Sequence, residues 1–366
     1  MKRSTFKKWS YRAALLGVFL GFGIVLFSSY YGFSSTNSSA DEIVYATTND
    51  GWNLALHHYP AQGERRGTYP VVVCHGIMSN RHNWDLLGER SFPEYISRQG
   101  YDTWLIELRG SGESDKPGWF GERKANYTFD DYVLRDVPTL LRYITDVTGV
   151  PQVHWVGHSM GGMIIYAYLQ RGDQELMRSV IAVGSPPLIG DGNELVNLSL
   201  PLVPVAERIY DELPSGLFTK ATGALAFPAL LPQMHLFWNY DNMNVEVARM
   251  AATHAVDNIP TSVLEQLTKG NEKGHLKSAD GSYDYTLGLH KIRVPFFLVA
   301  GASDQLAPPG ILMGAYDRIG SARKRLEVLS EANGYEHDYG HVDLVLGESA
   351  PREVFPLLKE WIVEHD

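Results

Sequence analysis

The run Val153-His154-Trp155-Val156-Gly157-His158-Ser159-Met160-Gly161-Gly162 organises the rest of the chain. A short apolar run ends in Gly157-His158-Ser159-Met160-Gly161, and a helix-like segment, Met163 to Leu169, follows at once. The order strand, tight turn, helix is the context in which a G-x-S-x-G pattern carries meaning. At the tip of a sharp turn the serine hydroxyl stands clear of the sheet. The flanking positions must be small, because a Cβ there would collide with the neighbouring strand and helix. The helix start adds free N–H groups and a partial positive charge beside the hydroxyl, where an oxyanion would form.

Outward from that stretch, strand and helix patterns alternate. Ile43–Thr48 and Leu54–Tyr59, parted by Asn49-Asp50-Gly51, read as a β-hairpin. Val71–His75 reads as a buried strand, Trp84–Gln99 as a helix and Tyr101–Leu108 as the next strand. Arg109-Gly110-Ser111-Gly112-Glu113-Ser114 fails as a dinucleotide fingerprint, since Asp115 stands where the third glycine would be, and is read as a loop shaping the edge of a site. Asp130–Thr148 carries an apolar stripe of helical period (Val133, Val137, Leu140, Leu141, Ile144 and Val147). Ser179–Val183, Val294–Ala300 and Arg325–Leu329 read as further strands, and Val354–His365 as a closing amphipathic helix. The expected class is α/β: a mostly parallel sheet with helices on both faces.

The alternation stops between residues 186 and 291. Leu217, Phe218, Leu225, Phe227, Leu230, Leu231, Leu236, Phe237 and Trp238 crowd this part of the chain among scattered prolines. It reads as an inserted helical cap over the carboxyl ends of the strands, where open α/β sheets bind ligands. Its apolar residues serve either the cap's own core or an acyl-binding tunnel or membrane-facing lid. Residues 1–40 form a separate segment. Lys2, Arg3, Lys7, Lys8 and Arg12 precede the uncharged stretch Ala13–Phe33, and no Lys or Arg returns before Arg65. As a helix this stretch spans ~31 Å, which matches a bilayer core. The charge bias predicts an N-terminal membrane anchor with the remainder outside the cytoplasm. The alternative is a secretory signal cleaved near Ser38-Ser39-Ala40, leaving a secreted or periplasmic protein. The division is therefore 1–40 anchor or signal and linker, 41–185 first part of the core, 186–291 cap, and 292–366 second part of the core.

Across 366 residues, 44% are hydrophobic and 20% charged, so a large packed core is expected. A net charge of −10, with no basic cluster beyond the first dozen residues, argues against a nucleic-acid partner. The single cysteine, Cys74, excludes an intrachain disulfide and any multi-cysteine metal site.

A serine hydroxyl is a poor nucleophile until a base takes its proton, and a carboxylate must then fix the tautomer of that base. Ser159, Asp304 and His341 stand in the order expected for this fold, and Asp304 and His341 each follow a strand. His337 is the rival base. Asp338 and Asp343 are rival acids, both close in sequence to the base. His158 reads as a buried, hydrogen-bonded wall. The backbone N–H of Met160 and, from the loop after Val71–His75, that of Ile77 are the expected oxyanion donors. No metal set stands out and no cofactor is required.

Together, His75-Gly76, Arg109-Gly110-x-Gly112-x-Ser114, Gly157-His158-Ser159-Met160-Gly161, Asp304 and Gly340-His341 resemble the α/β-hydrolase superfamily over residues 43–366. Three stretches resemble its acid (gastric/lysosomal) lipase branch: Cys74-His75-Gly76-Ile77-Met78-Ser79, Gly100-Tyr101-Asp102-Thr103-Trp104 and His341-Val342-Asp343-Leu344-Val345-Leu346-Gly347. Met160, where that branch usually has glutamine, and Arg109-Gly110-Ser111-Gly112 depart from it. The resemblance implies a serine esterase acting on lipid esters under a helical cap, with Ser159 as nucleophile, His341 as base, Asp304 as acid, and Ile77 and Met160 as oxyanion donors; the expected partner is a small-molecule or lipid ester. The same machinery would serve an acyltransferase if an alcohol displaced water. A non-catalytic binding protein on a hydrolase scaffold is the reading from another class.

Overall fold

A computed structural model of the chain describes residues 39–118, 125–187, 211–216, 219–220, 236–269 and 274–366. Its strands are β1 Glu42–Thr47, β2 Asn53–Tyr59, β3 Val71–Cys74, β4 Thr103–Ile106 and β5 Val153–His158. They continue with β6 Met177–Val183, β7 Glu212–Leu213, β8 Ile259–Pro260, β9 Phe296–Gly301 and β10 Lys324–Leu329. Eight of them make one sheet in the order β1-β2-β4-β3-β5-β6-β9-β10, while β7 pairs with β8. β2 is antiparallel to both neighbours, and every other pairing in the large sheet is parallel. The chain doubles back at Gly51, which turns at a φ of 85°.

The main helices are α1 Phe92–Arg98, α2 Val137–Thr148, α3 Met160–Arg171, α4 Val245–His254, α5 Thr261–Lys269, α6 Pro309–Arg318 and α7 Ala350–Glu364. They cover both faces of the sheet. Alternate residues of each central strand enter opposite cores: Val72, Cys74, Trp155, Val180, Ala182, Phe296 and Leu298 join α2, α3 and α6 on one side. Val71, Val73, Val156, Ile181, Val183, Phe297 and Val299 join α1 and α7 on the other. A strand buried on both faces has no reason to alternate apolar with polar residues, so β3 and β9 read in sequence as unbroken apolar runs.

Two helices differ from the sequence reading. Trp84–Gln99 is not one helix: a single turn at His82–Asp85 and a 3-10 turn at Gly88–Arg90 precede α1. Gly88 takes a left-handed φ of 55°, which ends the first segment. Pro93 then stands where a helix tolerates it, in the first turn of α1. Asp130–Thr148 is helical throughout but wider at Tyr132–Asp136, a π-turn leading into α2. Pro138 has no N–H to give the preceding turn, and the wide turn absorbs the missing bond. α6 was not legible in the sequence.

The hydrophobic helix expected over Ala13–Phe33 lies outside the described residues. Among the described residues no helix is long and apolar enough to cross a membrane. From 186–291 the described residues include β7, β8, α4 and α5. Leu217, Phe218, Leu225, Phe227, Leu230 and Leu231 lie outside the description, whereas Trp238 is buried in the same apolar cluster as α7, with Phe237 against it.

A buried ionic cluster closes the sheet near the hairpin. Arg109 Nη2 lies 2.7 Å from Asp136 Oδ1, and Arg109 Nη1 lies 2.8 Å from Asp50 Oδ2. Burial pushes the Asp136 carboxyl up to about 6, against the pull of Arg109. Arg109→Met would leave Asp136, which is 0% exposed, without its cation. The expected cost is about 3–5 kcal/mol of folding stability, read from urea unfolding curves.

Candidate active site

β5 lies inside the sheet between β3 and β6, and Ser159 is the first residue beyond it. Its backbone sits at φ 53° and ψ −120°, before helical geometry begins at Met160. Only Ser159 and Met78 among the described non-glycine residues hold a positive φ. Such conformations cost of order 1–3 kcal/mol and persist where the surroundings hold them. Here the Ser159 N–H donates to Val183 O at 2.9 Å, tying the turn to β6. A Cβ on Gly157 would lie 2.4 Å from the Gly161 carbonyl carbon, and one on Gly161 would lie 2.7 Å from Cys74 O. The first glycine thus lets α3 leave at a sharp angle, and the second lets it pass the end of β3.

His341 and Asp304 arrive at the same edge. Ser159 Oγ is 2.9 Å from His341 Nε2, and His341 Nδ1 is 2.8 Å from Asp304 Oδ2. A carboxylate can only accept, so the bond to Asp304 requires the proton on Nδ1 and leaves the Nε2 lone pair facing the hydroxyl. Asp304 is fixed by two further donors to Oδ1, the N–H groups of Leu306 and Ala307, each at 2.8 Å. Gly301, at the end of β9, is what lets the histidine loop come so close: a Cβ there would lie 2.3 Å from Tyr339 O. Asp304 and His341 are buried and Ser159 is half-buried, so the hydroxyl is the open end of the relay.

The rivals stand elsewhere. It is His341, not His337, that faces the serine. Asp338 Oδ1 accepts the Glu331 N–H at 3.0 Å. Asp343 is buried beneath the histidine loop and accepts three donors there, Gly340 N at 3.0 Å and Asn239 N and Asn242 Nδ2 at 3.1 Å. Burial pushes its carboxyl up to about 6, with those donors opposing. His158 lies with Nδ1 3.0 Å from Asn83 Oδ1 and Nε2 3.1 Å from the His341 carbonyl, and the single N–H of its neutral ring serves one of these two acceptors. Burial, and then the adjacent His341, hold its pKa well below the ordinary range, so it is a neutral wall.

Met160 opens α3, where the first N–H groups of a helix have no partner within it. Ile77 lies in the turn after β3, and this loop touches the serine: a Cβ on Gly76 would be 3.1 Å from Ser159 Cβ. His75-Gly76, quoted from the sequence for this loop, does shape it, whereas Asn83 was missed. Asn83 Oδ1 accepts Gly76 N–H at 3.1 Å. His75 Nδ1 lies 2.8 Å from Gly76 O, and its Nε2 accepts Leu108 N–H at 3.2 Å. Burial lowers the His75 pKa and keeps it neutral. The only sequence signal for the role of Asn83 was proximity to His75-Gly76.

Comparison with known proteins agrees in kind. A family model described as alpha/beta hydrolase fold matches residues 69–338. Human lipase member K is 24% identical over 340 residues, covering 84% of this chain and 84% of that protein. The gastric triacylglycerol lipase of Rattus norvegicus is 22% identical over 362 residues, covering 84% of this chain and 85% of that protein. Among solved structures, an esterase from Exiguobacterium antarcticum superposes with a TM-score of 0.59 at 18% identity, covering 87% of this chain and 98% of that one.

Two variants test the geometry. Gly161→Ala forces a Cβ against two backbone carbonyls and should cost about 1–3 kcal/mol by urea unfolding, with loss of whatever activity Ser159 supports. Asp343 has a folded-state pKa of about 6 against an ordinary 3.8, so its contribution is full below the lower value and lost as pH rises through the upper one. Relative to Asp343→Asn, the native protein should therefore lose roughly 2–3 kcal/mol of stability between about pH 4 and pH 7.

Proposed function

The chain belongs to the alpha/beta hydrolase fold family and is a carboxylic ester hydrolase, and on that premise we propose that it works through an acyl-enzyme on Ser159. His341 Nε2 takes the hydroxyl proton as Ser159 Oγ bonds to the ester carbonyl carbon. The Met160 and Ile77 N–H groups hold the resulting oxyanion. Asp304 keeps the Nδ1 proton in place and stabilises the imidazolium. Collapse of the tetrahedral adduct breaks the bond to the alkoxy oxygen, which leaves with the proton from His341. Water then enters by the same path, giving its proton to His341 and its oxygen to the acyl carbon, and Ser159 recovers its hydrogen. The observation that carries this reading is the unbroken relay from Ser159 Oγ through His341 to Asp304, at 2.9 and 2.8 Å.

The substrate in this proposal is an ester with an apolar acyl chain, small-molecule or lipid, taken up beneath a cap built from residues 186–291. The apolar content of that stretch and the names of the lipase relatives support it. The uncharged N-terminal stretch behind its basic flank supports tethering to a membrane with the hydrolase outside the cytoplasm.

Ser159→Ala and His341→Ala should each lower kcat by on the order of 10⁴-fold or more, while His337→Ala leaves it unchanged. A fluorophosphonate should label Ser159 and nothing in Ser159→Ala. If His341→Ala stays active while His337→Ala does not, the base is misassigned. Along p-nitrophenyl esters from acetate to palmitate, kcat/KM should rise with chain length, and a flat or falling series rejects the apolar acyl site. Adding an alcohol acceptor and analysing the products separates hydrolysis from acyl transfer. Alkaline carbonate should leave the full-length protein in the membrane fraction, and its release with a shortened N-terminus would mean a cleaved signal.

A further inference from the structure

Met78 shares with Ser159 a left-handed backbone, at φ 52°, one residue after Ile77. A methionine gains nothing there by itself, so the surroundings must hold it. What lies against it is the segment His254–Asp257, more than 170 residues further along the chain. Asp257 N–H donates to Met78 O at 2.9 Å. Ser79 bridges Val256 in antiparallel fashion, and its Oγ donates to Ala255 O at 2.8 Å. Asn80 Nδ2 donates to His254 O at 2.8 Å and to Asp257 Oδ2 at 3.1 Å.

The Asp257 carboxylate extends the same clamp to a second loop. Oδ2 also accepts the Gly112 N–H at 2.7 Å, and Oδ1 accepts Lys116 Nζ at 3.1 Å. Its own carbonyl accepts Ser215 Oγ at 2.8 Å. Only 7% exposed, this one residue joins the loop after β3, the glycine-rich loop after β4 and a segment of the 186–291 stretch. Charge-assisted bonds to backbone N–H groups are short and hold geometry well.

We propose that Asp257 is a positioning residue for acyl transfer: by clamping Met78 and Asn80 it holds the Ile77 N–H at the oxyanion position, so that the 254–257 segment sets the rate of the chemical step. The inference rests on the Ser159 acyl-enzyme reading and adds to it the residue that aims its second oxyanion donor. Asp257 touches no reacting atom. Its effect passes through the backbone of residues 77–80, whose neighbour Gly76 lies against the serine. A donor aimed only at the transition state changes kcat and leaves ground-state binding alone.

The test compares the full chain with Asp257→Ala and Asp257→Asn on a soluble short-chain p-nitrophenyl ester, with active sites counted by fluorophosphonate titration. An alkylboronic acid, whose tetrahedral serine adduct places an oxygen where the oxyanion forms, supplies the second readout. Asp257→Ala should lower kcat per active site by roughly 10–100-fold, part of the ~10²–10³ that loss of a whole oxyanion donor costs, with KM within about twofold. The boronate inhibition constant should rise by the same factor as kcat falls. Both variants keep the backbone N–H to Met78; Asp257→Asn also keeps one acceptor but turns an amide donor either toward Gly112 and Asn80 or toward Lys116, and should lose roughly 3–10-fold in both readouts. It carries the test if the alanine variant does not fold. A merely structural role would lower the number of active sites and leave kcat per site and boronate affinity unchanged, which overturns the proposal. So does a fall in kcat without a matching loss of boronate affinity. Ser159→Ala is the control: if it is inactive while both Asp257 variants match the native enzyme, only the clamp fails, and if it remains active, the acyl-enzyme reading fails and the clamp with it.

Discussion

The arrangement depends on one backbone constraint: a serine held in a left-handed conformation between a strand that must end and a helix that must begin. Ser159 keeps that conformation because both of its neighbours are committed. β5 is hydrogen-bonded on both sides within a parallel sheet, so it cannot drift. α3 is buried from Met160 to Leu169, so it cannot swing outward. A helix apolar on every side has no face to offer solvent. The local strain of the turn is small beside the burial that these two elements bring, and the hydroxyl is left proud of the sheet as a consequence.

The same economy of space governs Asp304 and His341. His341 reaches the serine only because Gly301 and Gly340 leave room, the first for the Tyr339 carbonyl and the second for the Trp238 and Asn239 backbone. Close approach of backbone to backbone, rather than long side chains, assembles the site. Side chains that span a gap carry rotamer freedom, which must be frozen at a cost in entropy, whereas backbone held by sheet and helix is already ordered. Two buried carboxylates then secure the loops from behind. Asp343 gathers donors beneath the histidine loop and Asp257 does so beneath the loop after β3. Each joins a core loop to backbone or side chains from the 186–291 stretch, so this stretch and the reactive edge are parts of one hydrogen-bonded structure.

Much of this architecture was legible in the amino-acid order. The α/β class followed from the alternation of patterns, and the strands β3, β5, β6 and β9 followed from apolar runs too short for helices. The seat of Ser159 followed from two glycines whose spacing has a steric reason. Asp304 and His341 could be picked out because each follows a strand in the part of the chain where such a fold delivers them. Helices were harder. Gly88 and Pro93 divide what periodicity joined as one helix over Trp84–Gln99, and α6 hid because it buries only Leu312 and Ala315 and carries two poor helix formers, Gly310 and Gly314.

What depends on neighbours along the chain could be read without coordinates: strand faces, the sharp turn at Ser159, the order of Ser159, Asp304 and His341, and the apolar stretch near the N-terminus. Tertiary structure alone showed that His341 Nε2 stands within hydrogen-bond reach of the hydroxyl, and what Asp343 does in place of the role given to Asp304: it gathers donors beneath the histidine loop. It alone revealed Asn83 and Asp257, since neither has a local pattern to mark it. Asp257 meets Met78, Asn80 and Gly112 only after the sheet has brought the ends of β3 and β4 together. Periodicity reports which side of an element is buried; it carries no information about which distant polar atom will be waiting there, because that is set by how the elements pack.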